Sequence, residues 1–357
     1  MFKKFKEHMQ SQMFGYRNNL DETRNKMLEQ GWPALFYSVI FSNIEEEKFA
    51  SMYSDKPSRP NFPVNILIGL EILKQLFDIS DSELIERFHF DLRFLRAFGL
   101  EEIGEISLAQ RTLYEFRDRL AYHLKTTGED LIAEVFNDLL DNFIEATDIS
   151  TTAQRMDSTM VTANIKQLSR IQLVHKVGSN LIESLPQQKL NKIHKNIIDL
   201  FTDESNLKDY IDKLGKETAL ENLCSKLVEL ENRFKNDEEI NETKVYKQLC
   251  RVIEDQTIVS SKEITIKDGE DIEANSLQNP VDEDATYRKK GNQSSQGYAV
   301  NISETADEDN PFQLITSISV EPNICSDINF LKDDLQSLNQ TTNIETLVVD
   351  GGYHNSS

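Results

Sequence analysis

Along this chain apolar residues recur at helical spacing in two long blocks and at strand spacing in short ones. The first helical block runs from Pro63 to about His123. In it, VNILIGLEILKQLF sets Val64, Leu67, Ile68, Ile72 and Leu76 near one helix face. DISDSELIERF restarts a helix, with Ser80 and Glu83 at capping-box spacing and acids in the first turn. FDLRFLRAFGL predicts a short helix ended near Gly99, SLAQRTLYEFRDRLAYH one with Ser107 as N-cap, and GEDLIAEVFNDLLDNFIEA a long amphipathic one. Before the block, NNLDETRNKMLEQ reads as a helix and YSDKPSRPNFP, with three prolines, as a linker or extended entry segment.

Near residue 151 the period changes. RMDSTMVTAN alternates, with Met156, Ser158 and Met160 on one side and Asp157, Thr159 and Val161 on the other, so it predicts a strand. An acid inside a strand is unfavourable and calls for an exposed edge or a site. Residues 165–260 return to helical spacing, as in Leu220, Leu223, Leu227 and Leu230, and predict packed hairpins. A polar, loop-like stretch, DGEDIEANSLQNPVDEDATYRKKGNQSSQ, follows. GYAVNISETAD and PFQLITSISVEPN then predict an antiparallel pair, SDINFLKDDLQSLNQ a helix capped by Ser326 or Asp327, and IETLVVDGG a strand whose apolar run implies cover on both faces. The fold class is α + α/β. Residues 1–60 form an N-terminal segment, 61–150 a helical domain of DNA-binding type, 165–279 a helical insertion, and 151–164 with 280–357 a mixed-sheet domain.

A length of 357 residues suits two or three domains. No apolar run reaches the roughly 18–20 residues that span a bilayer, and MFKKFKEHMQ lacks the apolar stretch of a secretory signal. The three cysteines, Cys224, Cys250 and Cys325, show no metal or disulfide spacing, which suits a reducing cytoplasm. The net charge of −22 argues against a simple basic nucleic-acid coat. The excess is uneven. Residues 181–280 hold 14 Lys and Arg against 21 Asp and Glu, and 281–357 hold 4 against 13, so nucleic acid is to be sought first in the earlier part. There Arg111, Arg117 and Arg119 lie among Leu113, Phe116 and Leu120, either as a DNA-facing set or as a solvated helix face.

Asp157 and Asp350 thus fall on two strands of one predicted sheet. Alone, Asp350 before Gly351-Gly352 also fits an ordinary turn. If the strands are neighbours, the two carboxylates converge, and hard oxygen ligands suit Mg²⁺ or Mn²⁺. Two such ions about 3.5–4 Å apart support phosphodiester chemistry.

RMDSTMVTANI, ATYRKKGNQSSQGYAVNISETAD and LVVDGGYHNSS, in that order, resemble the catalytic domain of DDE-class insertion-sequence transposases. RPNFPVNILIGLEILKQLFDISDSELIERFHFDLRFLRAFGL resembles their N-terminal domain. The resemblance covers roughly residues 58–165 and 280–357, with the helical insertion in the family's variable region. It implies an RNase H-like sheet and a DNA transposase that performs metal-dependent hydrolysis and strand transfer. Asp157 resembles the first acid of the triad and Asp350 the second; both would be catalytic and metal-binding, with two Mg²⁺ or Mn²⁺ ions in a complete site. The family's third acid, a glutamate on a later helix, has no place after Asp350. The resemblance therefore implies an incomplete, C-terminally truncated RNase H-like domain, inactive as this chain, with an uncovered sheet face or edge beside Val348 and Val349. Arg288, Lys289 and Lys290 in TYRKKGNQ, with Arg111 and Arg117, are the expected DNA contacts, although TYRKKGNQ also reads as a solvated loop. The expected partners are terminal inverted repeats, target DNA and further copies of the chain, without a membrane, in the nucleoid-associated cytoplasm. The alternative is a non-catalytic DNA-binding or dimerising fragment that represses transposition.

Overall fold

The computed structural model describes residues 1–6, 8, 15–54, 56, 59–202, 204–259, 264–290 and 293–353. The chain divides into two compact units, Met1–Ser150 and Thr151–Ser357. Among the described residues no helix is long and apolar enough to cross a membrane.

The first unit is helical. Its elements are α1 (Glu22–Glu29), α2 (Trp32–Leu35), α3 (Val64–Phe77), α4 (Asp81–Phe90), α5 (Leu92–Ala97), α6 (Gln110–Thr127) and α7 (Leu131–Thr147). Residues before 60 share one core with the later helices: Phe5, Phe36, Phe41 and Phe49 are buried with Leu67, Phe98 and Leu113. Glu46 fastens this join. Pro63 offers α3 no side-chain cap, so the buried Glu46 carboxylate accepts from Val64 N–H at 3.2 Å and Phe5 N–H at 2.8 Å. Burial raises the Glu46 pKa, while the backbone donors oppose the shift. Ser80 caps α4 through Glu83 N–H, as its spacing predicts.

Ser107 does not cap α6. The helix begins at Gln110 after an extended Ala109, with no side-chain cap. Leu108 explains the delay: its side chain is buried and its N–H donates to His89 Nε2 at 3.0 Å, which holds the approach extended.

The second unit combines a mixed sheet with a helical insertion. Strand β1 (Ala153–Thr162) is followed by α8 (Arg170–Ser184), α9 (Gln187–Leu190), α10 (Lys195–Thr202), α11 (Glu204–Leu214), α12 (Lys216–Phe234), α13 (Glu238–Asn241) and α14 (Lys244–Gln256). These helices have a core of their own, with Leu173, Val177, Leu223, Leu227, Leu249 and Val252 buried together. A small hairpin, β2 (Thr257–Val259) and β3 (Ile264–Ile266), leads on to β4 (Thr286–Lys290), β5 (Gln293–Thr305), β6 (Ile315–Pro322), α15 (Asp327–Thr341) and β7 (Thr346–Val349).

In the main sheet β1 lies between β5, antiparallel, and β7, parallel; β4 and β6 both pair antiparallel with β5. Helix α15 makes the crossover from β6 to β7 that a parallel neighbour requires. Thr286–Lys290, read as loop, is a strand. Its register Lys290↔Gln293 leaves two residues between β4 and β5, a hairpin spacing. Those two, Gly291 and Asn292, lie outside the described residues.

Alternation gives the sheet two unlike faces. Gln154 and Met156 of β1 and Asn301 and Ser303 of β5 are buried, and Met156 packs with Leu338 of α15. Asp157, Thr159 and Val161 take the other face and are exposed, as are Ile318 and Val320. Val348 is 57 % exposed, so the apolar run of β7 is covered on one face and not on two. Helix α15 lies on the opposite side, and among the described residues no element buries Val348.

Candidate functional site

Strands β1 and β7 run parallel in the register Ala153↔Thr346 to Met156↔Val349. One step further come Asp157 and Asp350. Neighbouring strands lie about 5 Å apart, and alternation carried one residue past the β7 register would bring both residues to the same face. Both residues are exposed. Asp157 sits within β1, opposite Ile302 of β5, and its Oδ1 accepts from Ser158 N–H at 2.8 Å. Asp350 follows β7 directly and opens a 3-10 turn, Gly351–Tyr353, closed by Tyr353 N–H to the Asp350 carbonyl at 3.3 Å. A Cβ built on Gly351 would meet nothing within 4 Å among the described residues.

Beneath the same sheet end lies a hydrogen-bonded layer. Tyr353 is buried against Met156 and Leu338. Its hydroxyl donates to Asn301 Oδ1 at 2.7 Å. Asn301 Nδ2 donates to Asp334 Oδ2 at 2.6 Å, and Ser319 Oγ donates to the same oxygen at 2.7 Å. Ser158 Oγ donates to Asp327 Oδ1 at 2.7 Å. Burial pushes the Tyr353 hydroxyl up to about 12; Asp327, Asp157 and Asp350 push the same way, and a hydrogen bond with Ser158 works against them.

Two adjacent carboxylates on an open face suit one hard divalent cation that keeps several waters. Among the described residues no group of three or more His, Cys, Asp or Glu side chains is arranged to hold a metal ion.

The expected DNA contacts differ in their surroundings. Arg117 is committed internally: its guanidinium donates to both Glu71 oxygens at 2.8 and 3.1 Å and to both Asp81 oxygens at 2.9 and 2.7 Å. Two carboxylates already fill its donor fork, so its role here is to join α3, α4 and α6. Arg111 stands exposed on α6 and pairs with Glu115 one turn on, a weak link in water. Arg288 turns inward and donates to the carbonyls of Asn323 and Cys325 at 3.0 and 3.2 Å, tying β4 to the turn before α15. Lys289 is exposed and pairs with Ser294, which places it on the same sheet face as Asp157. Lys290 closes the β4 register; its side chain lies outside the described residues, as do His354 to Ser357.

Tyr353, Asn301 and Asp334 do not stand out in the sequence. A faint signal exists: an asparagine inside an apolar strand is unfavourable, as Asp157 is, and so asks for a partner.

No curated protein matches the chain, and no solved structure does. Residues 24–119, within the helical unit, match the family model described as Transposase domain (DUF772).

Proposed function

We propose that the chain is an insertion-sequence transposase of the DDE class, with an RNase H-like sheet in its second unit. One observation carries this reading. Asp157, within β1, and Asp350, just after β7, each follow the last register pair of these parallel neighbours, Met156↔Val349, in a chain whose residues 24–119 match a transposase-domain family model. The antiparallel run β6-β5-β1 with β7 parallel to β1 supports the RNase H-like assignment. Asp157 and Asp350 would hold a Mg²⁺ or Mn²⁺ ion. When bound, such an ion polarises a phosphodiester and activates an attacking oxygen. The remaining work falls to the protein. The open face lets a duplex end approach, the carboxylates fix where the ion sits, and Lys289 meets phosphate on that same face. Arg111 is a contact in the first unit. The substrates are the terminal inverted repeats and target DNA, which places the protein on the nucleoid.

With two carboxylates and no third in the described site, residues 1–357 are expected to bind Mn²⁺ weakly and not to cleave terminal-repeat DNA. Titration followed by Mn²⁺ electron paramagnetic resonance tests the site: Asp157→Asn and Asp350→Asn should each abolish binding. Unchanged binding in both variants would remove these residues from the site. Robust cleavage that disappears in Asp157→Asn would overturn the inactivity.

A second reading, a non-catalytic DNA-binding or dimerising protein that represses transposition, draws on the exposed apolar face at Ile318, Val320 and Val348. Light scattering of wild type and Val320→Glu tests it. A monomer that Val320→Glu leaves unchanged counts against self-association through this face.

A further inference from the structure

We propose that Tyr353 is a positioning residue for the Asp157–Asp350 pair, acting through Asn301 and the buried Asp334. This rests on the reading of that pair as the ion-holding carboxylates.

The two aspartates are held very differently. Asp157 lies inside β1, which pairs along its length with β5. Asp350 hangs from β7, a strand of four residues paired to β1. Its backbone needs a second fixed point, and three residues on Tyr353 offers one. That side chain is 4 % exposed, and its ring packs under β1 against Met156 and Leu338.

The hydroxyl reaches past β1 to Asn301 on β5, the register partner of Ser158. Both ends of the Asn301 amide are committed, the oxygen to Tyr353 and the nitrogen to Asp334. A flip would set the amide oxygen against the Asp334 carboxylate and lose that bond. Asp334 accepts also from Ser319 of β6. The hydroxyl position is therefore set by β5, β6 and α15 together. A buried polar network whose members are bonded to one another favours one arrangement over near alternatives. The short turn Gly351–Tyr353 carries that fixed point back to Asp350. Packing of the ring alone would bury apolar area but leave the turn free to slide; the hydroxyl gives it a register.

The test compares the full chain with Tyr353→Phe and Ser319→Ala. Mn²⁺ affinity is read by electron paramagnetic resonance, backbone order by hydrogen exchange, and fold by circular dichroism. Tyr353→Phe should weaken Mn²⁺ binding about three- to ten-fold and speed exchange at 347–353 but not at 153–162. Ser319→Ala, one bond further along the network, should weaken Mn²⁺ binding in the same direction by less. A purely structural role predicts exchange rising across β5 and α15 with Mn²⁺ affinity unmoved wherever the fold persists. If both variants bind Mn²⁺ like the wild type while Asp350→Asn does not, the positioning role is overturned and the ion site stands. If Asp157→Asn and Asp350→Asn also bind like the wild type, the ion site itself falls, and this proposal with it.

Discussion

Arg117 shows how far a residue's identity can mislead about its role. From the sequence it is one of three arginines on an amphipathic helix, as open to phosphate as Arg111. Packing brings Glu71 and Asp81 to it, from positions 46 and 36 residues earlier. Arg117→Met is expected to destabilise the first unit by about 1–2 kcal/mol in urea unfolding at neutral pH, since charged hydrogen bonds are lost at a partly solvated site. Arg117 above all holds the Asp81 carboxyl well below its ordinary value of 3.8; burial, the second-largest effect, opposes it, and Lys74 adds to the lowering. A depressed carboxylate contributes stability above its unfolded pKa and loses it as the pH falls. The gap between wild type and Arg117→Met should therefore hold near neutral pH and shrink as the pH is lowered through 3.8 and below. A gap that stays constant would show that Asp81 is not responsible. In DNA binding the contrast is with Lys289. Lys289→Ala should reduce the slope of log affinity against log salt by about 1, and Arg117→Met should leave that slope unchanged.

At the scale of elements, helices were the most legible, because a 3.6-residue apolar period survives without knowledge of partners. Boundaries were less so. Leu108 enters the core before α6 begins and displaces the start from Ser107, and only the position of His89 explains it. Strand β4 was hidden by its polarity: Tyr-Arg-Lys-Lys lacks the apolar alternation of a core strand, although Gly291-Asn292 is a hairpin dipeptide. Gly297 marks where β5 is squeezed, paired to Thr162 on one side and Thr286 on the other. Its φ is +151°, and a Cβ there would lie 2.3 Å from the Val161 carbonyl oxygen. Gly297→Ala is expected to destabilise the second unit by about 1–3 kcal/mol, through backbone strain and overpacking of the β1–β5 pair. A variant as stable as wild type would mean that β1 can shift outward at no cost.

For the whole molecule, the change of period near residue 151 coincides with the division between two compact units. Each has its own apolar core. Residues 1–150 expressed alone are expected to show helical circular dichroism and one cooperative melt. A gradual, uncooperative melt would show that this core depends on the rest of the chain. What the sequence determined by itself was local: which stretches are helix or strand, and that two aspartates end or interrupt apolar strands. Those follow from periodicity and side-chain chemistry, which each segment carries with it. Tertiary structure alone decided that β7 lies beside β1 in the register that aligns Asp157 with Asp350, that Arg117 faces two carboxylates, and that Tyr353 meets Asn301. These are pairings between segments 36 to 193 residues apart. No local pattern specifies them, because they arise only when burial of the shared apolar faces selects one arrangement of the whole chain.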